Sequence, residues 1–235
     1  MFFDSNLKLV EDLSVTNWVS ERTRPWPVLN QEYRGIGWVI PEGFESYISI
    51  QNYEPRNSTK TFNPLDFSRL ILHLLQFTKY PGSCLMALWE GFGWNTKKDL
   101  GLEHTEVKYF RMPNRSYFLF EGPLIDAVKI GHKNWGLFFP EIPNYIWPQD
   151  KSWILVKEID YEVILIGGSE ELISSIENLG CFTTQRFDLE QPMHEISLAT
   201  WIDNLDFEVE RNDESKSKIP KGIIQRLIKL IRFNP

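Results

Sequence analysis

Four side chains in this sequence have the types and spacing for chemistry on a small polar substrate: Glu90, Glu158, Asp160 and Arg115. Each acid ends an apolar, strand-like run. Cys84, Met86 and Leu88 alternate toward Glu90, and Ile154 and Val156 alternate toward Glu158 and Asp160. In a strand, residues two apart share a face, so both runs carry a carboxylate where an apolar side chain is due. If the two strands are neighbours, the acids converge. Close like charges push pKa values apart, which divides acid and base roles between them, with Arg115 orienting the substrate. The competing reading is structural: a buried carboxylate needs a partner, and Arg111 or Arg115 supplies one as an internal ion pair. Nothing in the chain offers a nucleophile with its base, and on that ground the structural reading carries more weight.

Other stretches with chemical potential are weaker. Gly167-Gly168-Ser169 before a helix resembles an anion cradle. Glu170 and Glu171 fill the first helical turn, however, where they would repel a phosphate, and a serine cap accounts for the same residues. Gly91-x-Gly93 lacks the third glycine and the following helix of a nucleotide loop and reads as a turn. His73, His104, His132 and His194 show no paired spacing with one another or with Cys84 and Cys181, so neither a metal nor another cofactor is expected. Ser83 and Ser169 lack a G-x-S-x-G setting.

The elements that must position these residues are arranged around residues 147–169. Residues 153–159 and 161–166 are rich in β-branched and aromatic side chains and close on Gly167-Gly168. The first run is apolar on both faces, which predicts a central strand covered on both sides. Residues 84–90 and 117–121 predict further strands, and residues 37–40 with 44–53 predict a hairpin around Pro41-Glu42-Gly43. A short helix is expected over residues 6–13. Asn63 and Pro64 open a helix with Leu70, Ile71, Leu74, Leu75 and Phe77 on one face. Ser169 caps a second over 170–179, ended by Gly180. Strands come in runs rather than in strict β-α alternation. The expectation is therefore α+β: a mostly antiparallel central sheet with a few flanking helices. Residues 1–209 read as a single domain, 210–218 as a polar linker, and 219–235 as a basic amphipathic C-terminal helix.

The chain has 235 residues, is 42% hydrophobic and carries a formal charge of −7, unevenly distributed. Residues 216–235 hold six of the 25 basic residues and none of the 32 acidic ones, which leaves −13 on residues 1–215. An acidic body disfavours nucleic acid, because phosphate contacts supply most of that affinity, and favours a cationic partner. No apolar run approaches the roughly 20 residues needed to cross a bilayer. The N-terminus lacks the basic and apolar regions of a signal peptide, so a cytoplasmic location is expected. Membrane-surface contact through residues 219–233 is a weaker expectation than docking of that helix on the acidic body. Nine tryptophans are many for this length. Trp89 and Trp153 read as core. Trp94, Trp135 and Trp147, with Trp26, sit beside Gly or Pro, where an aromatic either plugs a core edge or anchors a partner. Trp94, Trp135, Trp147 and Asp150 are the candidate partner contacts.

Several stretches together resemble an uncharacterised bacterial family of hypothetical proteins. They are Pro41-x-Gly43-Phe44-x-x-Tyr47, Ala87-Leu88-Trp89-Glu90-Gly91-x-Gly93, Pro113-x-Arg115-x-Tyr117 with Glu121-Gly122-Pro123, and above all Trp147-Pro148-x-Asp150-x-x-Trp153, Glu158-Ile159-Asp160 and Gly167-Gly168-Ser169. The resemblance spans residues 35–180 and implies a shared fold and no activity. A histidine-proline pair common in that family is replaced here by Tyr53-Glu54-Pro55. The sequence thus predicts a non-catalytic binding protein, an immunity-type inhibitor of a cationic toxin. The alternative is an enzyme for a small substrate that uses Glu90, Glu158 and Asp160.

Overall fold

The computed structural model describes residues 6–25, 35–51, 64–92, 102, 106–112, 115–134, 137–161, 163–192 and 195–196. They belong to one compact unit, residues 1–197. The expected linker at 210–218 and terminal helix at 219–235 lie outside the described residues, as do Trp26, Trp94, Trp135, His104 and His194.

The architecture is α+β. The strands are β1 (Lys8–Leu9), β2 (Ser46–Gln51), β3 (Cys84–Trp89), β4 (Phe110–Met112), β5 (Arg115–Gly122), β6 (Gly131–Asn134), β7 (Leu137–Pro140), β8 (Tyr145–Pro148), β9 (Ile154–Val156), β10 (Ile164–Gly168) and β11 (Thr183–Arg186). The helices are α1 (Asn17–Arg22), α2 (Pro64–Leu74) and α3 (Glu170–Glu177). Among the described residues, one sheet runs β1-β5-β3-β8-β9-β10-β2-β11 with every pairing antiparallel, and β4 also lies along β5. Strands β6 and β7 form a separate hairpin.

The period-two alternation explains the two cores. Met86, Leu88, Phe118, Phe120, Ile146, Leu155, Ile164 and Ile166 point to one face, under Phe67, Leu70, Ile71 and Leu74 of α2 and Leu172, Ile173 and Ile176 of α3. Leu85, Ala87, Tyr117, Leu119, Tyr145, Trp147, Ile154, Val156 and Leu165 point to the other face. That face is covered by Trp18 and Val19 of α1, by Ile36, Val39 and Ile40, and by Phe187 and Ile196. Strand β9, buried throughout, sits between β8 and β10, the central position its two apolar faces predict.

Two local expectations are overturned. Residues 6–13 are not helical: Lys8 and Leu9 pair with Glu121 and Phe120, and Leu13–Thr16 forms a 3-10 turn whose cap, Asp12, accepts from the Ser14 N–H. The sheet edge recruits this segment because Leu7 and Leu9 pack on the helix-covered core while Val10 reaches the other. Among the described residues, 37–40 make no hairpin with 44–51. Ile36–Trp38 is a 3-10 turn, and β2 pairs with β10 and β11. Here the backbone bonds leave the turn: the Ile36 and Gly37 N–H groups donate to the carbonyls of Gln191 and Leu189, at 2.8 and 3.2 Å. These bonds bring Leu189 O within 2.1 Å of where a Gly35 side chain would begin.

Gly167 and Gly168 are the last residues of β10. A Cβ on Gly167 would lie 2.7 Å from Phe44 Cδ2 and 2.9 Å from Tyr47 Cε1. The glycine is required by two rings that close the sheet rather than by backbone freedom. Gly167→Ala is expected to destabilise the protein by about 1–3 kcal/mol through overpacking, measured by denaturant unfolding. An unchanged midpoint would show that the rings yield freely.

Candidate functional site

The four residues singled out for chemistry do not all meet. Strands β3 and β9 are not neighbours; β8 lies between them, so their ends are separated by roughly 10 Å, two strand spacings. Parity separates the acids as well. Glu90 follows the helix-covered face of Cys84, Met86 and Leu88 and is exposed. Its charge acts on Tyr109 of that side, whose pKa is raised by burial and then by Glu90. Glu158 follows the opposite face of Ile154 and Val156 and is 5% exposed.

Arg115 does meet Glu158 and Asp160. It stands at the start of β5, two residues before Tyr117, which pairs with Trp89. From there its guanidinium reaches the connection between β9 and β10. One nitrogen, Nη1, lies 2.5 Å from Glu158 Oε1, and Nη2 donates to Asp160 Oδ2 at 2.6 Å. Trp89 stacks on the cation at 5.6 Å from its ring centroid. The environments of the two acids differ: the Glu158 side chain is 6% exposed and that of Asp160 63%. The Glu158 contact is close, but the atoms are out of line for a hydrogen bond, and both are sealed from solvent. It is therefore an attraction between charges, whereas the Asp160 contact is a directed hydrogen bond.

Burial raises the Glu158 pKa, and Asp160 adds to the rise. Arg115 and the N–H groups of Asp160 and Ile159 oppose it without cancelling it. Burial works against the charge of Arg115 too, but Glu158 and the Asp160 hydrogen bond outweigh it, and the guanidinium stays ionised. Below the cluster, Tyr117 and Tyr145 are held neutral, first by burial and then by the neighbouring charges. Sequence reading passed over both tyrosines and Trp89 as parts of this site. The available signal was the alternation Arg115, Tyr117, Leu119, which puts an arginine and a tyrosine on one strand face.

Asn144 was missed as well. It is 2% exposed and joins the ends of β3 and β9. Its backbone N–H donates to Ala87 O, its Oδ1 accepts from the Trp89 N–H, its carbonyl accepts from the Lys157 N–H, and its Nδ2 donates to Lys157 O, at 2.8 to 3.0 Å. A polar residue directly before the apolar run 145–147 was the only hint.

The candidate partner contacts divide. Trp147, expected in a loop, is in β8 and 1% exposed. It packs edge-on against Trp18 at 6.0 Å and Phe110 at 6.2 Å, so its ring offers no surface to a partner. Its neighbour Pro148 ends a strand rather than marking a loop. Asp150 is exposed, and its Oδ1 accepts from the Ser152 N–H at 3.1 Å and Oγ at 2.8 Å. It shapes the β8–β9 turn, in which Lys151 takes φ 57°.

The start of α3 is also settled internally. Ser169 Oγ accepts from the Leu172 N–H at 3.2 Å, and the Glu45 carboxylate accepts from the Glu170 N–H at 2.9 Å, so an acid of the chain already occupies the helix end. Glu170 itself is drawn down to about 2 by hydrogen bonds from Arg186, Ser46 and Ser174. His73 bonds Ser175 Oγ at 2.8 Å, and His132 stacks on Phe139. Among the described residues, no group of three or more His, Cys, Asp or Glu is placed to hold a metal ion, and no helix is long and apolar enough to cross a membrane. Comparison with known proteins finds no matching family model, no similar curated protein and no similar solved structure.

Proposed function

We propose that this protein is a non-catalytic binding protein whose acidic body holds a cationic protein, in the manner of an immunity-type inhibitor of a basic toxin. The observation that carries this reading is the sharing of Arg115 between Glu158 and Asp160. Glu158 and Asp160 share one cation, Arg115, and Glu90 lies on the opposite side of the sheet, an arrangement that favours an internal ion pair over a free acid-base pair around a substrate. Acidity that remains for others is superficial: Glu11, Glu21, Glu90, Glu171, Asp188 and Glu195 are exposed. Such a field speeds encounter with a positive partner and weakens with salt.

A second reading has one observation in its favour. The Glu158 pKa is displaced upward, the direction a general acid requires, so a carboxylate enzyme built on Glu158 and Asp160 is the competing class.

The test is co-expression of the chain with any secreted basic protein that its gene neighbourhood encodes, together with affinity capture from the source lysate at low and high salt. The expected result is rescue of growth and capture of a basic protein that high salt releases. Failure to rescue, with no basic protein retained at low salt, overturns the proposal. Loss of a lysate metabolite in the presence of the wild-type chain but not of Glu158→Gln selects the enzyme.

A further inference from the structure

The Arg115 cluster contains one cation and two carboxylates, so with both acids ionised it holds one negative charge too many. The surplus falls on Glu158. Asp160 keeps water on most of its surface and takes the aligned hydrogen bond, whereas Glu158 is nearly sealed and its contact with Arg115 is out of line. A single proton on Glu158 makes the cluster neutral. The two acids are two residues apart on the connection between β9 and β10, whose far end is held by Tyr161, packed against the core that α1 covers. Asn144 holds its base at Lys157, and Lys157 Nζ folds back to the carbonyls of Glu158 and Tyr161. The tip, residues 158–160, reaches the sheet through Arg115.

We propose that Arg115, Glu158 and Asp160 form a proton-operated latch on residues 157–161: with Glu158 protonated the connection sits closed on the sheet, and with Glu158 ionised it opens more readily toward water.

The sign follows from solvation. Opening returns the Glu158 carboxylate to water, where its charge costs nothing extra, so the ionised form favours the open connection and the neutral form the closed one. The upward displacement of the Glu158 pKa in the closed form agrees, since a group that binds its proton more tightly when closed is closed by acid. The charged and titratable groups facing Glu158 among the described residues are Arg115 and Tyr117 from β5, Tyr145 from β8, and Asp160 and Lys157 from the connection itself. Arg115 stays cationic and the tyrosines neutral from mildly acidic to neutral pH, so the proton that distinguishes the two forms belongs to Glu158. The device does not depend on the partner proposed above.

The test is amide hydrogen exchange at residues 157–161, corrected for intrinsic rates, from about pH 7.5 down to about pH 4, a window that reaches below the ordinary glutamate value. Protection of the wild type should rise on acidification, by at most about tenfold for each unit by which the closed pKa exceeds the open one. Glu158→Gln, neutral at every pH, should show high and level protection. Asp160→Asn, which removes the surplus charge, should flatten the wild-type slope. Protection that stays level or falls with acid in the wild type overturns the latch. So does an equal change at the β8 amides, which would mark global stability instead. If Glu158→Gln does not fold, the wild-type profile and Asp160→Asn still decide.

Discussion

Arg115→Ala lowers the free energy of unfolding at neutral pH by about 3 kcal/mol, the low end for stripping one partner from a buried ion pair, because Glu158 can take up a proton instead of remaining a bare charge. The loss has three sources: the attraction to Glu158, the aligned hydrogen bond to Asp160 and the packing on Trp89. Asp160→Ala, at a group 63% exposed, should cost no more than about 1 kcal/mol. The paired replacement Arg115→Met with Glu158→Leu should recover most of the deficit, since it removes both buried charges and keeps the volume filled. Denaturant unfolding of the three variants checks the ordering. A cost for Asp160→Ala as large as that for Arg115→Ala would place the main partner of the arginine at the surface, contrary to this account.

Trp147→Ala should be the most damaging single truncation among the residues considered for partner contact, at about 3–5 kcal/mol. The ring is 1% exposed at the centre of the sheet and holds Trp18 of α1 and Phe110 of β4 edge-on. Its removal leaves a cavity bounded by strands that cannot collapse far. Alanine at a true partner anchor would instead leave stability unchanged and weaken binding. A variant that unfolds at the wild-type denaturant concentration would refute the core assignment.

The sheet was legible in the sequence where alternation was unbroken. Cys84 to Trp89, Tyr117 to Glu121 and Ile154 to Val156 each carry an apolar residue on both faces, and only a strand between two covered faces accommodates that pattern. The cap at Ser169 and the left-handed Gly180 were readable for the same local reason. Legibility failed where distant chain supplies the bonds. Nothing near Gly35 and Gly37 announces that their backbone meets residues 189–191, and nothing near Lys8 announces that β5 will pair with it. The site was half legible. The spacing of Glu158 and Asp160 came from local residues, and their cation was narrowed to Arg111 or Arg115, but convergence with Glu90 depended on strand order, in which β8 intervenes. Trp147 was misplaced because its proline neighbour suggested a loop, while its partners, Trp18 and Phe110, lie far away in the chain.

The Glu158 carboxyl is buried and engaged by Arg115 inside the molecule. The most direct measurement is a carbon-detected NMR titration of that carboxyl in the wild type and in Arg115→Met. The account predicts a midpoint above the ordinary glutamate value in the wild type and a further rise once the guanidinium is gone. An ordinary midpoint that ignores the substitution would mean a glutamate open to water and indifferent to Arg115, and would contradict it.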